Sequence, residues 1–138
     1  MNSSRTLPWP VHTRLAFAYS AVMRGVNHVS ESDFPYRPFH AAHGTGPLDA
    51  EILRRVAGIG RRYRIEMGPV DDFFSQQGGL DDDGRHIAFA TLEAVMRATL
   101  HEIRIARVGR NQTPRVRTFV LGIAADGLAG LRTLAIET

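Results

Sequence analysis

The hydrophobic positions of the chain predict helices that alternate with strands. Apolar residues recur at helical spacing over Val11–Val26 and again over Arg85–Glu102, and each pattern predicts an amphipathic helix. A shorter helix is predicted over Pro47–Gly58, because proline is tolerated in a first helical turn and glycine readily ends a helix. Alternation over Tyr63–Met67 predicts a half-buried strand, and Ile103–Val108 predicts another. The pattern indicates a mixed α/β chain.

The C-terminal segment contains the most apolar run of the sequence, Phe119–Ile123. A run with little alternation is typical of a strand that is buried on both faces, so we expect it in the middle of a sheet. The pair Asp126-Gly127 predicts a hairpin turn in which glycine supplies a positive φ. The strand that follows runs to Thr138, and we therefore expect the terminal carboxylate near the body of the fold.

The segment from His28 to Phe39 contains two prolines, which exclude a helix and favour an extended loop or an edge strand. Within it lies the polar run Ser30-Glu31-Ser32-Asp33. Serine and aspartate side chains bond to nearby backbone amides, so the run predicts a turn. The alternative is that Glu31 points outward as a contact residue, and spacing alone favours the turn.

Several other polar groups suggest chemistry without completing a site. His40 and His43 are predicted to lie in an exposed loop, without a third metal ligand. Asp71-Asp72 is predicted to cap a short helical turn, and Gln76–Gly84 is predicted to be a polar loop that lacks the ligands of a calcium site. There is no phosphate-binding loop, no nucleophile elbow and no cysteine. These observations favour a binding protein over an enzyme and predict no cofactor.

Composition and charge limit the number of domains and the location of the protein. The length of 138 residues fits one domain, which we assign to residues 11–138 after a flexible, proline-rich segment at residues 1–10. The apolar run Leu15–Met23 is better explained by a helix than by a signal peptide, and no stretch is long enough to span a membrane, so a cytoplasmic protein is expected. All 17 basic residues are arginines and the net charge is +3.

Five arginines cluster in the sequence: Arg54, Arg55, Arg61, Arg62 and Arg64. They fit either a phosphate-binding patch or a solvated face near the C-terminus of a helix. The patch offers one aromatic residue, Tyr63, for stacking on bases. Direct binding of nucleic acid is therefore the weaker interpretation.

Three segments together resemble the nuclease A inhibitor-like family: residues 29–36 (VSESDFPY), residues 70–74 (VDDFF) and residues 122–138 (GIAADGLAGLRTLAIET). They occur in the order and near the spacing that the family shows. The resemblance extends over roughly Val11 to Thr138. Its most specific part is the C-terminal hairpin that ends in Glu-Thr, followed by the Ser-Glu-Ser-Asp motif.

The resemblance implies a fold and a function. The fold would be a three-layer α/β/α sandwich around a mostly antiparallel sheet. The function would be inhibition of a magnesium-dependent, sugar-non-specific endonuclease, with the Thr138 carboxylate at the nuclease's magnesium ion and Glu31 at an active-site arginine. Ser30, Ser32 and Glu137 would complete the partner-binding set, and the chain would hold no metal of its own. Carboxylate oxygen is the ligand that magnesium prefers.

Two alternatives remain beside this interpretation. One is a nucleic-acid-binding module that uses the five clustered arginines. The other is a member of the family whose protein partner is not a nuclease. A protein that imitates nucleic acid is expected to be acidic where it meets its partner, whereas this chain is basic in total.

Overall fold

The computed structural model describes residues 9–43, 46–80, 82–111 and 113–137. In these residues four helices and seven strands follow in the order α1 (Val11–Val22), β1 (Asn27–Val29), β2 (Asp33–Pro35), β3 (Arg37–Ala42), α2 (Ala50–Ala57), β4 (Arg64–Pro69), α3 (Asp71–Gly78), α4 (Asp83–Thr99), β5 (His101–Gly109), β6 (Arg115–Ile123) and β7 (Gly127–Ile136). Most of the segment predicted to be flexible, residues 1–8, lies outside the described residues, and so does Thr138. None of the helices in the described ranges has the length and apolar character that crossing a bilayer requires.

The main sheet has five strands in the order β3-β7-β6-β5-β4, and each neighbouring pair is antiparallel. Strand β6 lies at its centre, so the prediction for Phe119–Ile123 is confirmed. Strands β1 and β2 form a separate two-stranded hairpin.

Two hydrophobic cores lie on opposite faces of the sheet, because successive side chains of a strand point to opposite sides. Val120 packs with the core formed by α1, α3 and α4, whereas its neighbour Leu121 packs with the core that contains Leu53 of α2. Leu128 and Ala129 of β7 divide between the two cores in the same way. The predicted three-layer α/β/α sandwich around an antiparallel sheet is therefore confirmed.

The β6–β7 hairpin also fixes the start of α1. The carboxylate of Asp126 accepts hydrogen bonds from the backbone N–H groups of Val11 and His12, each at 2.8 Å. These are donors that a helix leaves unpaired at its N-terminus, so a residue far along the chain supplies the cap.

The predicted positive φ at Gly127 is wrong, since positive φ among the described glycines occurs only at Gly25, Gly46 and Gly58. Glycine is required at position 127 because there is no room for a Cβ atom. A Cβ there would lie 2.5 Å from the Ala41 carbonyl oxygen and 2.6 Å from Nδ1 of His12.

Several helix boundaries differ from those predicted. Helix α1 ends at Val22 rather than Val26, and α4 ends at Thr99. His101 and Glu102 belong to β5, where the register shifts and Glu102 has φ 50°. The Glu102 carboxylate accepts the N–H of Leu48 at 3.0 Å. Helical periodicity reveals neither this tertiary contact nor the strand that contains it.

Helix α2 begins after Asp49, whose carboxylate accepts the N–H of Ile52 at 2.9 Å, and not at Pro47. Its predicted stop at Gly58 is confirmed, with a left-handed φ of 66°.

Three loop predictions are also corrected. His40 lies in edge strand β3 rather than in a loop. Asp71 does not cap α3; it lies in the first turn, and its carboxylate pairs with Arg97 at 2.7 Å. Residues 76–78 continue α3 rather than open a polar loop. The predicted i,i+4 pair between Glu93 and Arg97 is confirmed at 3.0 Å.

Gly130 of β7 lies against β6 at a place that has no room for a side chain. A Cβ there would overlap the Val120 carbonyl oxygen and lie 2.6 Å from Cα of Leu121. We expect Gly130→Ala to lower the free energy of unfolding by about 1–3 kcal/mol, as overpacking does. Urea unfolding followed by circular dichroism measures the change.

The matched control is Gly68→Ala, also within a strand. Its Cβ would meet only Ile105 Cγ2, at an ordinary 3.8 Å. We expect this variant to be neutral or slightly stabilised. Equal losses in both variants would contradict the role assigned to Gly130.

Candidate partner-binding site

The Ser-Glu-Ser run forms the turn between β1 and β2, as predicted. The hydroxyl of Ser30 donates a 2.7 Å hydrogen bond to the carbonyl of Ser32, which closes the turn. Glu31 is exposed at its tip, between these two serines. The serine side chain thus shapes the turn, and the glutamate is presented by it.

The turn is held against the end of β7. The N–H of Ile136 donates to the Ser30 hydroxyl at 3.1 Å, and the N–H of Glu31 donates to the Ile136 carbonyl at 3.3 Å. The next residue, Glu137, donates its N–H to the carbonyl of Pro114 at 2.8 Å. The structure therefore brings Glu137 close to Ser30 and Glu31, although more than 100 residues separate them in the sequence. Thr138, the fifth predicted contact, lies outside the described residues.

On its other side the hairpin is held by the side chain of Gln77 in α3. The Gln77 amide accepts the N–H of Val29 and donates to the carbonyl of Val29, both at 2.9 Å. This pair of bonds reproduces the pairing that a neighbouring strand would give. A side chain thus completes the outer edge of β1.

Arg85 of α4 forms hydrogen bonds to both β1 and α3. Its guanidinium donates to the carbonyls of Asn27 and Gln77, each at 2.6 Å, and to the side-chain oxygen of Gln77. Its Cζ lies 4.9 Å from the ring centre of Phe89. The buried guanidinium has lost its hydration, and these three hydrogen bonds offset that loss. Arg85 therefore connects β1 and α3 to α4.

His28, the middle residue of β1, points its side chain from the hairpin into the protein, where it meets aromatic rings. Nδ1 of His28 is 2.8 Å from the Tyr36 hydroxyl, and its ring stacks on Phe73 with centres 6.2 Å apart. Burial, reinforced by the nearby Arg85 cation, lowers the pKa of His28 to about 4. Burial also raises the pKa of Tyr36. Both groups are consequently uncharged at neutral pH.

A groove of about 670 Å³ runs beside the turn, between the hairpin, α3 and β5. Its lining includes three carboxylates, from Glu31, Asp72 and Glu137, and one guanidinium, from Arg107. Arg107 forms an ion pair with Glu137. The groove itself therefore carries an excess of carboxylates, although the chain as a whole is basic.

Sequence reasoning missed Gln77, Arg85 and Arg107, which position the site. Gln77 and Arg85 occupy helix positions that resemble ordinary polar surface, and Arg107 occupies a strand. The one usable signal is that Arg85 falls on the buried face of α4, near Phe89.

The five clustered arginines do not form one cationic surface. Arg54 donates to the carbonyls of Gly60 and Tyr63 at 2.6 and 3.1 Å, which braces the loop after α2. Arg61 forms a bidentate pair with Glu51 at 2.9 and 3.2 Å. Two of the five are thus engaged within the fold. Within the described ranges, no group of three or more histidine, aspartate or glutamate side chains is arranged to hold a metal ion.

Comparison with known protein families gives one match. A family model described as nuclease A inhibitor-like protein matches residues 15–138, nearly the whole chain. In a comparison with curated proteins, none matches the chain. The family description supports a role in the inhibition of nucleases, a protein partner and a non-catalytic protein.

The lowered pKa of His28 predicts a pH dependence of stability. Between pH 6.5 and about 4 the unfolded chain takes up a proton at this histidine and the folded chain does not. The free energy of unfolding should therefore fall over this range, by up to about 3 kcal/mol. We expect His28→Gln to flatten the slope, as measured by urea unfolding at a series of pH values.

The matched control is His86→Gln on α4. Because the side chain of His86 is exposed, this variant should keep the slope of the parent chain. A slope that His28→Gln leaves unchanged would show that buried His28 does not carry the effect.

Proposed function

Because the chain belongs to the nuclease A inhibitor-like family, we propose that it inhibits a magnesium-dependent, sugar-non-specific endonuclease by occupying its active site. The observation that carries the proposal is the docking of the Ser-Glu-Ser turn on the end of β7. Two hydrogen bonds join Ser30 and Glu31 to Ile136. Glu31 is thereby attached to the end of β7, the strand that leads to Thr138 in the sequence.

Glu31 supplies a carboxylate for an active-site arginine of the nuclease. A guanidinium binds carboxylate and phosphate with the same forked geometry, so a carboxylate can take the place of the scissile phosphate. The exposed position of Glu31 at the tip of a turn suits insertion into a concave site.

Thr138 supplies its main-chain carboxylate to the magnesium ion of the nuclease. Magnesium keeps several water molecules and accepts one or two carboxylates, so a single terminal carboxylate is enough. Support comes from the residue before it, because Glu137 is held by Pro114 and by Arg107. Glu137 acts within the chain as a support, while Ser30 shapes the turn and exposed Ser32 lies at the rim of the contact.

Rigid support favours tight binding. Ordering a flexible loop on association costs about 0.5–1.5 kcal/mol for each immobilised side chain. The hairpin is already held by Gln77, Arg85 and Ile136, so little order remains to be imposed. Glu31 and Asp72, whose carboxylates line the groove, complement the cationic active site of an enzyme that binds a polyanion.

Removal of the Glu31 charge tests the first contact. We expect Glu31→Gln to weaken inhibition by about 10- to 100-fold, because a hydrogen bond to a charged group contributes about 1.5–3 kcal/mol. The measurement is the inhibition constant in a plasmid-digestion assay with a magnesium-dependent, non-specific endonuclease.

Asp33→Asn is the matched control, since Asp33 is also exposed in the hairpin but lies outside the turn. It should change inhibition little beyond an effect on the association rate. Circular dichroism establishes that both variants are folded. Complete digestion by several such nucleases at excess parent protein would refute the proposed function itself.

The position of the terminal carboxylate tests the second contact. Deletion of Thr138, or extension of the chain by one glycine, should abolish inhibition, because either change removes the carboxylate from its place. The fold should persist, since the bonds of Ile136 and Glu137 do not involve residue 138. Thr138→Val keeps a carboxylate at the same place and should retain inhibition. If the valine variant loses as much as the deletion, the carboxylate is not the group that binds.

A further inference from the structure

A second concave surface lies on the opposite side of the sheet, beside α2. It has a volume of about 540 Å³ and is bounded by the C-terminal end of α2, by strands β3, β7 and β6, and by Phe34 and Pro35 of β2. Helix α2 has only eight residues, and it leaves this part of the sheet face open. The surface is separate from the acidic groove beside the Ser-Glu-Ser turn, and we call it the arginine groove.

Three arginines line it: Arg37, Arg117 and Arg132. Arg37 and Arg132 stand directly opposite each other on neighbouring strands. Side chains in such a pair have Cβ atoms about 4.5–5.5 Å apart and lie on the same face of the sheet. Arg117 comes from β6, where its partner in β7 is Leu134, two residues beyond Arg132.

The positive charges of this cluster are not neutralised within the described part of the chain. No ion pair joins Arg37, Arg117 or Arg132 to a described carboxylate, and none of the described lining residues is acidic. Like charges that face each other across a strand pair destabilise the sheet. A bound anion would remove this repulsion.

The remaining lining favours an organic molecule over a simple ion. Phe39, Phe119 and Leu134 form an apolar floor, and Val56 and Ala57 form a wall. Sites for small ligands are typically about 300–1,000 Å³ in volume and combine apolar walls with a few fixed polar groups. The size is therefore that of a metabolite, and it is small for a folded protein partner.

From these observations we propose that the arginine groove binds an organic phosphate monoester of about the size of a mononucleotide. The phosphate lies between Arg37 and Arg132, whose guanidinium groups donate paired hydrogen bonds to its oxygens. Arg117 is held at the side of the groove, with its Cζ 5.1 Å from the ring centre of Tyr63. The organic part covers Phe119 and Leu134.

Binding is tested by calorimetric titration at low, constant ionic strength with four probes. A nucleoside 5′-monophosphate and ribose 5-phosphate should bind in a saturable manner. The unphosphorylated nucleoside should not bind. Inorganic phosphate should bind more weakly than either ester, because it leaves the apolar floor uncovered. The two esters together show whether the base or only the sugar is recognised.

Substitution locates the site. Arg132→Gln should weaken binding of the monophosphate by at least about tenfold, because it removes one charge-assisted pair of hydrogen bonds. The same variant should raise the melting temperature of the ligand-free protein at low salt, because it relieves the repulsion from Arg37. A variant that had merely lost its fold would melt lower, so the second measurement keeps the result interpretable.

Arg14→Gln is the matched control, because Arg14 is an exposed arginine on α1, across the sheet from the groove. It should bind the monophosphate like the parent chain. The proposal is overturned if no probe binds, if Arg132→Gln and Arg14→Gln bind equally, or if inorganic phosphate binds as tightly as the esters. Binding of a single-stranded oligonucleotide without binding of the monophosphate would also overturn it.

Discussion

A mismatch in strand length determines where the candidate site lies. Strand β7 pairs with β3 only from Gly127 to Arg132, but it continues to Ile136. Beyond Arg132 its backbone on that side faces no strand of the main sheet, and buried backbone groups must find partners. The β1–β2 hairpin takes this place. The backbone N–H and carbonyl of Ile136 bond to the Ser-Glu-Ser turn, and the side-chain hydroxyl of Thr133 donates to carbonyl groups of β2.

The hairpin depends on this docking in return. Its two strands have three residues each, and an isolated hairpin of that size is not stable in water. Its order is provided by Ile136 on one side and by Gln77 and Arg85 on the other. The turn that presents Glu31 is therefore held in place by contacts to the sheet and to two helices. A substitution far from the tip, for example at Arg85, would therefore change the position of Glu31.

The features that sequence could predict are those set by local rules. The apolar run of β6, the turn at Ser30–Ser32 and the left-handed stop at Gly58 follow from burial, side-chain hydrogen bonding and backbone freedom at one place in the chain. The resemblance to the family extended this to the layered fold. The predictions for β6, for the turn and for Gly58 each need information from only a few neighbouring residues.

What escaped prediction depends on groups that are distant in sequence. Asp126 has the features of a hairpin residue, yet its carboxylate caps α1, and Gly127 is small because Ala41 and His12 lie against it. Glu102, which helical periodicity places in α4, lies in β5, and its carboxylate accepts the N–H of distant Leu48. Periodicity describes one element at a time, so it cannot identify a residue whose conformation is decided by another element.

Net charge is a poor guide to what this molecule binds, because its charges are unevenly distributed. The groove beside the Ser-Glu-Ser turn has the carboxylates of Glu31, Asp72 and Glu137 and the guanidinium of Arg107, whereas Arg37 and Arg132 face each other on the other side of the sheet. Electrostatic forces between exposed groups are screened within about 8–10 Å at physiological salt. A partner at either surface therefore responds mainly to the charges around it, and a net charge of +3 is compatible with an acidic face for a nuclease. The five-stranded sheet lies between the two surfaces, and the β1–β2 hairpin borders both, since it carries Glu31 at its turn and lines the arginine groove with Phe34 and Pro35.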